Sequence, residues 1–277
     1  MPFRPQRRDW PVTVAEAREI QARLAPLVVA HNEVGDVRHV AATDLSSPDA
    51  AGITHAAAVL VSHPELAVVE CALSAWRPSF PYVPGLLAFR EAPALLAALD
   101  RLKRTPDLLL VDGHGIAHPR RFGIASYVGL LAGVPTIGVA KSRLVGEHEE
   151  PGPDAGDWAP LYHKGDAIGA AVRTRARTKP IYVSVGNRVD LETAIAWTLR
   201  CCRGLRLPEP LRQAHLAAAG RLPAPREEEA RSGCLGWGWP PSRPPAECRR
   251  DGIGLRRLPP SSDLAPEPDD LEPRATS

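Results

Sequence analysis

Residues 107–121 read Asp-Leu-Leu-Leu-Val-Asp-Gly-His-Gly-Ile-Ala-His-Pro-Arg-Arg, and this stretch limits the fold more than any other. The unbroken apolar run Leu108–Val111 has no polar face, so it reads as a strand buried on both sides. It delivers one carboxylate, Asp112, into a loop rich in glycine and histidine, with Arg120 and Arg121 just beyond. An acid at the C-terminal end of a buried strand lies where α/β sheets commonly build their sites. The basic loop beside it points to a phosphate-bearing substrate.

The surrounding chain fits an α/β sheet. Thr13-Val-Ala-Glu16 is a capping-box pattern, and the periodicity after it predicts an amphipathic helix over residues 14–31. Arg38–Ser46, Ile53–Ser62 and Leu66–Trp76 read as three strands with short links, an antiparallel meander. The proline-rich loop 77–85 leads to a helix at about 91–103. The strand Leu108–Asp112, a helix near 123–132 and the strand Thr136–Ala140 alternate as parallel pairs with right-handed crossovers do. Ile168–Arg173 and Ile181–Val185 read as late strands, and Leu191–Cys202 and Pro210–Ala219 as closing helices. From about Gly220 periodicity is lost, and the last 57 residues hold 11 of the 30 prolines. That tail is expected to be disordered, either solvated or a docking peptide around Trp237 and Trp239.

At 277 residues the chain can bury one sizeable core with an appendage. Its net charge of +2 does not by itself argue for nucleic acid. No segment approaches a membrane span, and the basic start has no apolar stretch of a secretory signal behind it. Five cysteines without a C-x-x-C pair argue against a disulfide framework or zinc ribbon, and for a reducing, cytoplasmic setting.

Three carboxylates stand out by position. Asp44 ends the first strand, Asp112 ends a central one, and Glu91 opens a helix after Phe89-Arg90. Acids at neighbouring strand ends can converge on a hard divalent cation such as Mg²⁺, which can activate water and offset charge on a phosphodiester. For Glu91, a favourable place at a helix N-terminus explains the residue equally well. Lys141 follows the strand Thr136–Ala140 and would reach the same edge as Asp112, able to hold a phosphate or a leaving oxygen. The segment is no P-loop, since Val139 and Ala140 separate Gly138 from the lysine. His114 and His118 lack the glutamate and the helix of a zinc protease, and they are expected to shape the loop. Phe80-Pro-Tyr-Val-Pro-Gly85 sets an aromatic on a proline-braced loop, either a wedge that parts stacked bases or a cover on the core.

In this order and spacing the segments resemble the endonuclease V (deoxyinosine 3′-endonuclease) family. The resemblance covers about residues 10–218. It rests on Val-Ala-Ala-Thr-Asp-Leu-Ser at 40–46, Pro-Tyr-Val-Pro-Gly-Leu-Leu-Ala-Phe-Arg-Glu at 81–91, the 107–121 block, Gly-Val-Pro-Thr-Ile-Gly-Val-Ala-Lys-Ser at 133–142 and Pro-Ile-Tyr-Val-Ser-Val-Gly-Asn-Arg-Val at 180–189. It implies a ribonuclease H-like fold, a mixed sheet with antiparallel first strands flanked by helices. It divides the chain into a catalytic domain, 1–221, and a proline-rich tail, 222–277. It implies hydrolysis of the second phosphodiester 3′ to deoxyinosine with Mg²⁺, Mn²⁺ substituting, leaving 3′-hydroxyl and 5′-phosphate.

By the same resemblance, Asp44 and Asp112 match the metal-binding aspartates, Glu91 the third catalytic acid, and Lys141 the lysine at the scissile phosphate. His215 matches a histidine near the metal in some members. Tyr82, in the segment Pro81, Tyr82, Val83, Pro84, matches the lesion wedge, and Gly85, Leu87 and Gly113 fall at the pocket for the flipped base. Arg120 and Arg121 are expected at substrate phosphates. The partner expected is DNA with deaminated bases, and the protein a monomer. Members that act on inosine in RNA leave an endoribonuclease open as an alternative, and another structure-specific nuclease of the ribonuclease H fold is the other. One position departs from the pattern: Ser47 stands where an aromatic is common.

Overall fold

The computed structural model describes residues 10, 11 and 13–222. In chain order the elements are α1 (Val14–Leu24), β1 (His39–Leu45), β2 (Thr54–Ser62), β3 (Val68–Trp76), α2 (Leu87–Leu99), β4 (Leu108–Asp112), α3 (Ile124–Ala132) and β5 (Thr136–Ala140). They continue with β6 (Trp158–His163), β7 (Asp166–Val172), β8 (Ile181–Asn187), α4 (Leu191–Arg200) and α5 (Glu209–Ala218). The strands form one sheet in the order β3-β2-β1-β4-β5-β8-β7-β6. The first three make the expected antiparallel meander, β4 lies parallel between β1 and β5, and β8 turns antiparallel again.

Alternation along the central strands fills both faces of the sheet. Ala41, Leu109 and Val111 pack with α2 and α3, while Val40, Ala42, Leu108 and Leu110 pack with α4 and α5. All seven of these side chains are fully buried. A strand in that setting has no place for a charge until its end, and β1 and β4 end at Leu45 and Asp112.

Several boundaries differ from expectation. The first helix stops at Leu24 and tightens into a 3₁₀ turn, Ala25–Leu27; Pro26 lacks the amide an α-helix needs and disfavours helix for the residue before it. The second helix begins at Leu87, four residues before Glu91, and tolerates Pro93 in its interior. Strand β6 was not foreseen, because Pro160 interrupts its pattern; β6 is an edge strand, where a missing amide is harmless. Its signal was the two-residue turn Lys164-Gly165, both at positive φ, which joins β6 to β7. The expected boundary after residue 221 and the proline-rich tail, with Trp237 and Trp239, lie outside the described residues apart from Leu222 itself. No helix among the described residues is long and apolar enough to cross a membrane.

The loop after β4 lies directly on β8. A Cβ added at Gly115 would stand 1.8 Å from the Val185 carbonyl oxygen, a backbone atom that cannot swing away. The Gly115 amide donates to Ser184 Oγ at 2.9 Å. Gly115→Ala is therefore expected to lower stability by about 1–3 kcal/mol, the usual range for forced overpacking. Chemical denaturation checks this, and an unchanged midpoint would show that the loop has room to move.

Candidate active site

Residues of the same parity share a strand face. That places Asp44 with Val40 and Ala42, Asp112 with Leu108 and Leu110, and Lys141 with Ile137 and Val139, on one face of three adjacent strands. Asp44, Asp112, Gly113, Lys141, Glu91, Leu87 and Tyr82 line one cavity of about 590 Å³. Lys141 Nζ donates to Asp112 Oδ2. His215, from α5, meets Asp44 Oδ2 through Nδ1 at 2.8 Å, so α5 closes onto β1.

The electrostatics of the cluster are strained. Burial, and then the carboxylates of Asp112 and Asp44, push Glu91 up to about 7, and Arg90 only partly opposes this. Burial and Asp44 push Asp112 up to about 6 against the pull of Lys141. Burial disfavours the Lys141 ammonium, but Asp112 and Asp44 outweigh it and hold its pKa above the usual range. Glu91 is the fifth residue of α2, not its first. A helix N-terminus would favour its ionised form; the upward shift reflects burial among like charges instead.

Hard oxygen donors that repel one another suit Mg²⁺, which is usually held by one or two carboxylates plus water and substrate. The donor set fits, with Asp44 and Asp112 as the carboxylates that would hold the ion. Among the described residues no three His, Cys, Asp or Glu side chains are drawn together as a ready metal cage. Lys141 and His215 sit on the two aspartates instead.

The loop over the cavity is a tight turn. The Leu86 amide donates to the Val83 carbonyl at 2.9 Å, with Pro84 and Gly85 between them and Gly85 at φ +76°, the residue pattern of a type II turn. Val83 packs on the core, Pro81 and Pro84 face solvent, and Tyr82 is 73% exposed. The Gly85 carbonyl accepts three hydrogen bonds, from Gln21 Nε2 at 3.0 Å, His118 Nε2 at 3.0 Å and Arg120 Nη2 at 2.9 Å. The Arg120 amide donates to His118 Nδ1, which leaves the proton on Nε2. Burial, and then the Arg120 charge, hold His118 down at about 3, so it is neutral in this role. Burial likewise holds His114 at about 4, and its Nε2 reaches the Ser142 carbonyl.

Arg120 and Arg121, expected at substrate phosphates, do not line the cavity. Arg120 Nε donates to Gln21 Oε1 at 2.6 Å and its Nη2 goes to Gly85. Arg121 is taken up by His163 and by Asp166 Oδ2. Gln21 was not picked out from the sequence. It is fully buried, and a polar residue four places after Ala17 on the buried stripe of α1 was the available signal. Trp76 and Arg90 also line the cavity unforeseen. Ser47 lines it too, and its carbonyl accepts from Ser46 Oγ.

An open mixed sheet, entered through an antiparallel meander and carrying acids at the ends of β1 and β4, has the architecture of the ribonuclease H-like nucleases. The sequence profile of endonuclease V matches residues 22–216. Endonuclease V of Trichormus variabilis is 49% identical over 218 residues, 78% of this chain and 98% of that one. The crystal structure of endonuclease V from Streptomyces avermitilis superposes with a TM-score of 0.73 at 45% identity, covering 76% of this chain and 93% of that one. The Ciona intestinalis enzyme, in complex with a 24mer DNA containing an inosine followed by a ribo-adenosine, superposes at 0.65 with 28% identity, covering 76% and 97%. The chain belongs to the endonuclease V family.

Two expectations follow. The unfolded chain ionises Glu91 and Asp112 near their ordinary values of 4.5 and 3.8, the folded one only near 7 and 6. The cluster therefore opposes folding increasingly as pH rises from about 4 to about 7. In chelator, Glu91→Gln should melt above wild type at pH 7.5, and the gap should close toward pH 5; a gap independent of pH would refute the charge origin. Separately, Gln21→Leu should lose about 1–3 kcal/mol of stability by stranding buried partners, read as a lower denaturation midpoint.

Proposed function

We propose that the protein is a DNA-repair endonuclease that hydrolyses the second phosphodiester 3′ to deoxyinosine with Mg²⁺, leaving 3′-hydroxyl and 5′-phosphate. The observation that carries this reading is the meeting of Asp44, Asp112, Glu91 and Lys141 in one cavity beneath the exposed Tyr82. The relative bound to inosine-containing DNA supports the substrate.

When bound, the metal would supply charge neutralisation at the scissile phosphate and a more acidic attacking water. Asp44 and Asp112 would hold it, and His215 orients the Asp44 carboxylate through its 2.8 Å contact. Lys141 stays positively charged and offsets the charge that develops on the phosphate. Glu91 titrates near neutrality and can exchange a proton with water at its carboxyl oxygens. Tyr82, on a turn fixed by the three bonds to Gly85, fills the gap that a flipped base leaves. Leu87 and Gly113 border the cavity that receives the base. A deaminated base pairs weakly, so its extrusion is less costly than that of a normal base.

The test is nicking of labelled duplexes that carry one inosine, as DNA and as RNA, with Mg²⁺, with Mn²⁺ or with EDTA. A metal-dependent DNA nick one phosphodiester beyond the inosine's own 3′ bond is expected. Asp112→Ala should abolish it while lesion binding persists. Absence of any metal-dependent cut, or wild-type cutting by Asp112→Ala, would overturn the reading.

A further inference from the structure

A second cavity, of about 890 Å³, opens beside the first. The two share Lys141 and Ser142, so the second begins where the reacting phosphate would lie. Its walls are stapled by two arginines. Arg206 donates to the carbonyls of Lys141, Lys179 and Pro180 at 2.7–2.8 Å. Arg173, largely buried, donates to the carbonyls of Pro151, Gly152 and Thr178 and pairs with Glu150. Carbonyls satisfy a guanidinium's donors without cancelling its charge. The loops at 141–153 and 174–180 are thus held together, and Arg206 does this without losing its charge.

Three more cations, Arg143, Arg177 and Lys179, line the same basin. All three are exposed, and among the described residues none of their side chains has a hydrogen bond or ion pair. Six lysines and arginines face one acid there, Glu150, which is already paired with Arg173. The whole chain is nearly balanced, with a net charge of +2. Three exposed cations without partners among the described residues, next to an acid cluster, form a surface that a polyanion neutralises.

We infer that this basin is a subsite for the phosphodiester backbone of the nucleic-acid strand as it leaves the catalytic cavity past Lys141, holding phosphates by charge and reading no base. The inference rests on the proposed nuclease activity. Six of the thirteen lining residues are cationic and one, Glu150, is acidic, which suits a chain whose repeating feature is negative charge.

The experiment compares wild type, the triple variant Arg143→Ala/Arg177→Ala/Lys179→Ala and the charge-retaining triple Arg143→Lys/Arg177→Lys/Lys179→Arg, on an inosine-containing DNA duplex. Each lost phosphate contact lowers the slope of log K against log salt by about 0.9, so the alanine triple should lose about 2–3 from its slope. Raising salt from roughly 50 to 200 mM should then weaken wild type about 40-fold more than the alanine triple. KM should rise while kcat at saturating duplex stays near wild type, and the charge-retaining triple should regain the wild-type slope. Trimming the duplex at one end should weaken wild type and leave the alanine triple unaffected. A slope unchanged in the alanine triple, or unrestored by the charge-retaining one, would overturn the inference. A wild type that binds the duplex with a steep slope but never nicks it would overturn the catalytic reading alone.

Discussion

The two-sided burial of β1, β4 and β5 is the constraint on which the molecule turns. Val40, Ala42, Leu108, Leu110, Ile137 and Val139 are fully buried beneath α4 and α5, and Ala41, Leu109 and Val111 beneath α2 and α3. An isolated charge inside such strands would be prohibitively desolvated. The ends of the strands are the first positions where water and partner charges become available. Asp44, Asp112 and Lys141 occupy them in neighbouring strands, so the same burial that stabilises the sheet gathers these charged groups along one edge.

Elements remote in sequence finish that edge. His215, from the last described helix, steadies Asp44; Gln21, from the first, joins Arg120 and His118 in fixing the Gly85 carbonyl. The turn bearing Tyr82 is therefore anchored through a buried polar network, and such networks are worth most when every member is satisfied. The acid cluster is the opposite case, since burial and like charge raise both Glu91 and Asp112. Strain of this kind is typical where a site awaits a counter-charge. Beside it lies the basin lined by Arg143, Arg177 and Lys179, which shares Lys141 and Ser142 with the cavity.

How far the chain could be read in advance depended on local signals. Strands β4 and β5 lie where their apolar runs put them, because a strand buried on both sides writes itself as an unbroken hydrophobic segment. The start of α2 was placed at Glu91, whereas the Val83–Leu86 turn launches the helix at Leu87. Strand β6 hid behind Pro160, which only an edge position permits. Arg120 and Arg121 carry the composition of a phosphate site, yet their guanidinium groups serve protein acceptors. Composition records which charge is present and says nothing of which partner reaches it first.

By itself the sequence determined seven of the sheet's eight strands, the three acids and the lysine, and the family to which the chain belongs, since these are written in contiguous runs and fixed spacings. The tertiary structure decided what depends on contacts between distant residues: that Glu91 is half-buried among like charges, that Gln21 and two side chains of the 118–120 loop grip Gly85, and that Arg143, Arg177 and Lys179, without partners among the described residues, gather into a basin. The physical reason is that burial and pairing are properties of neighbours in space. A residue's type fixes the charge it can bear; the packing around it fixes its pKa, its partner and its exposure.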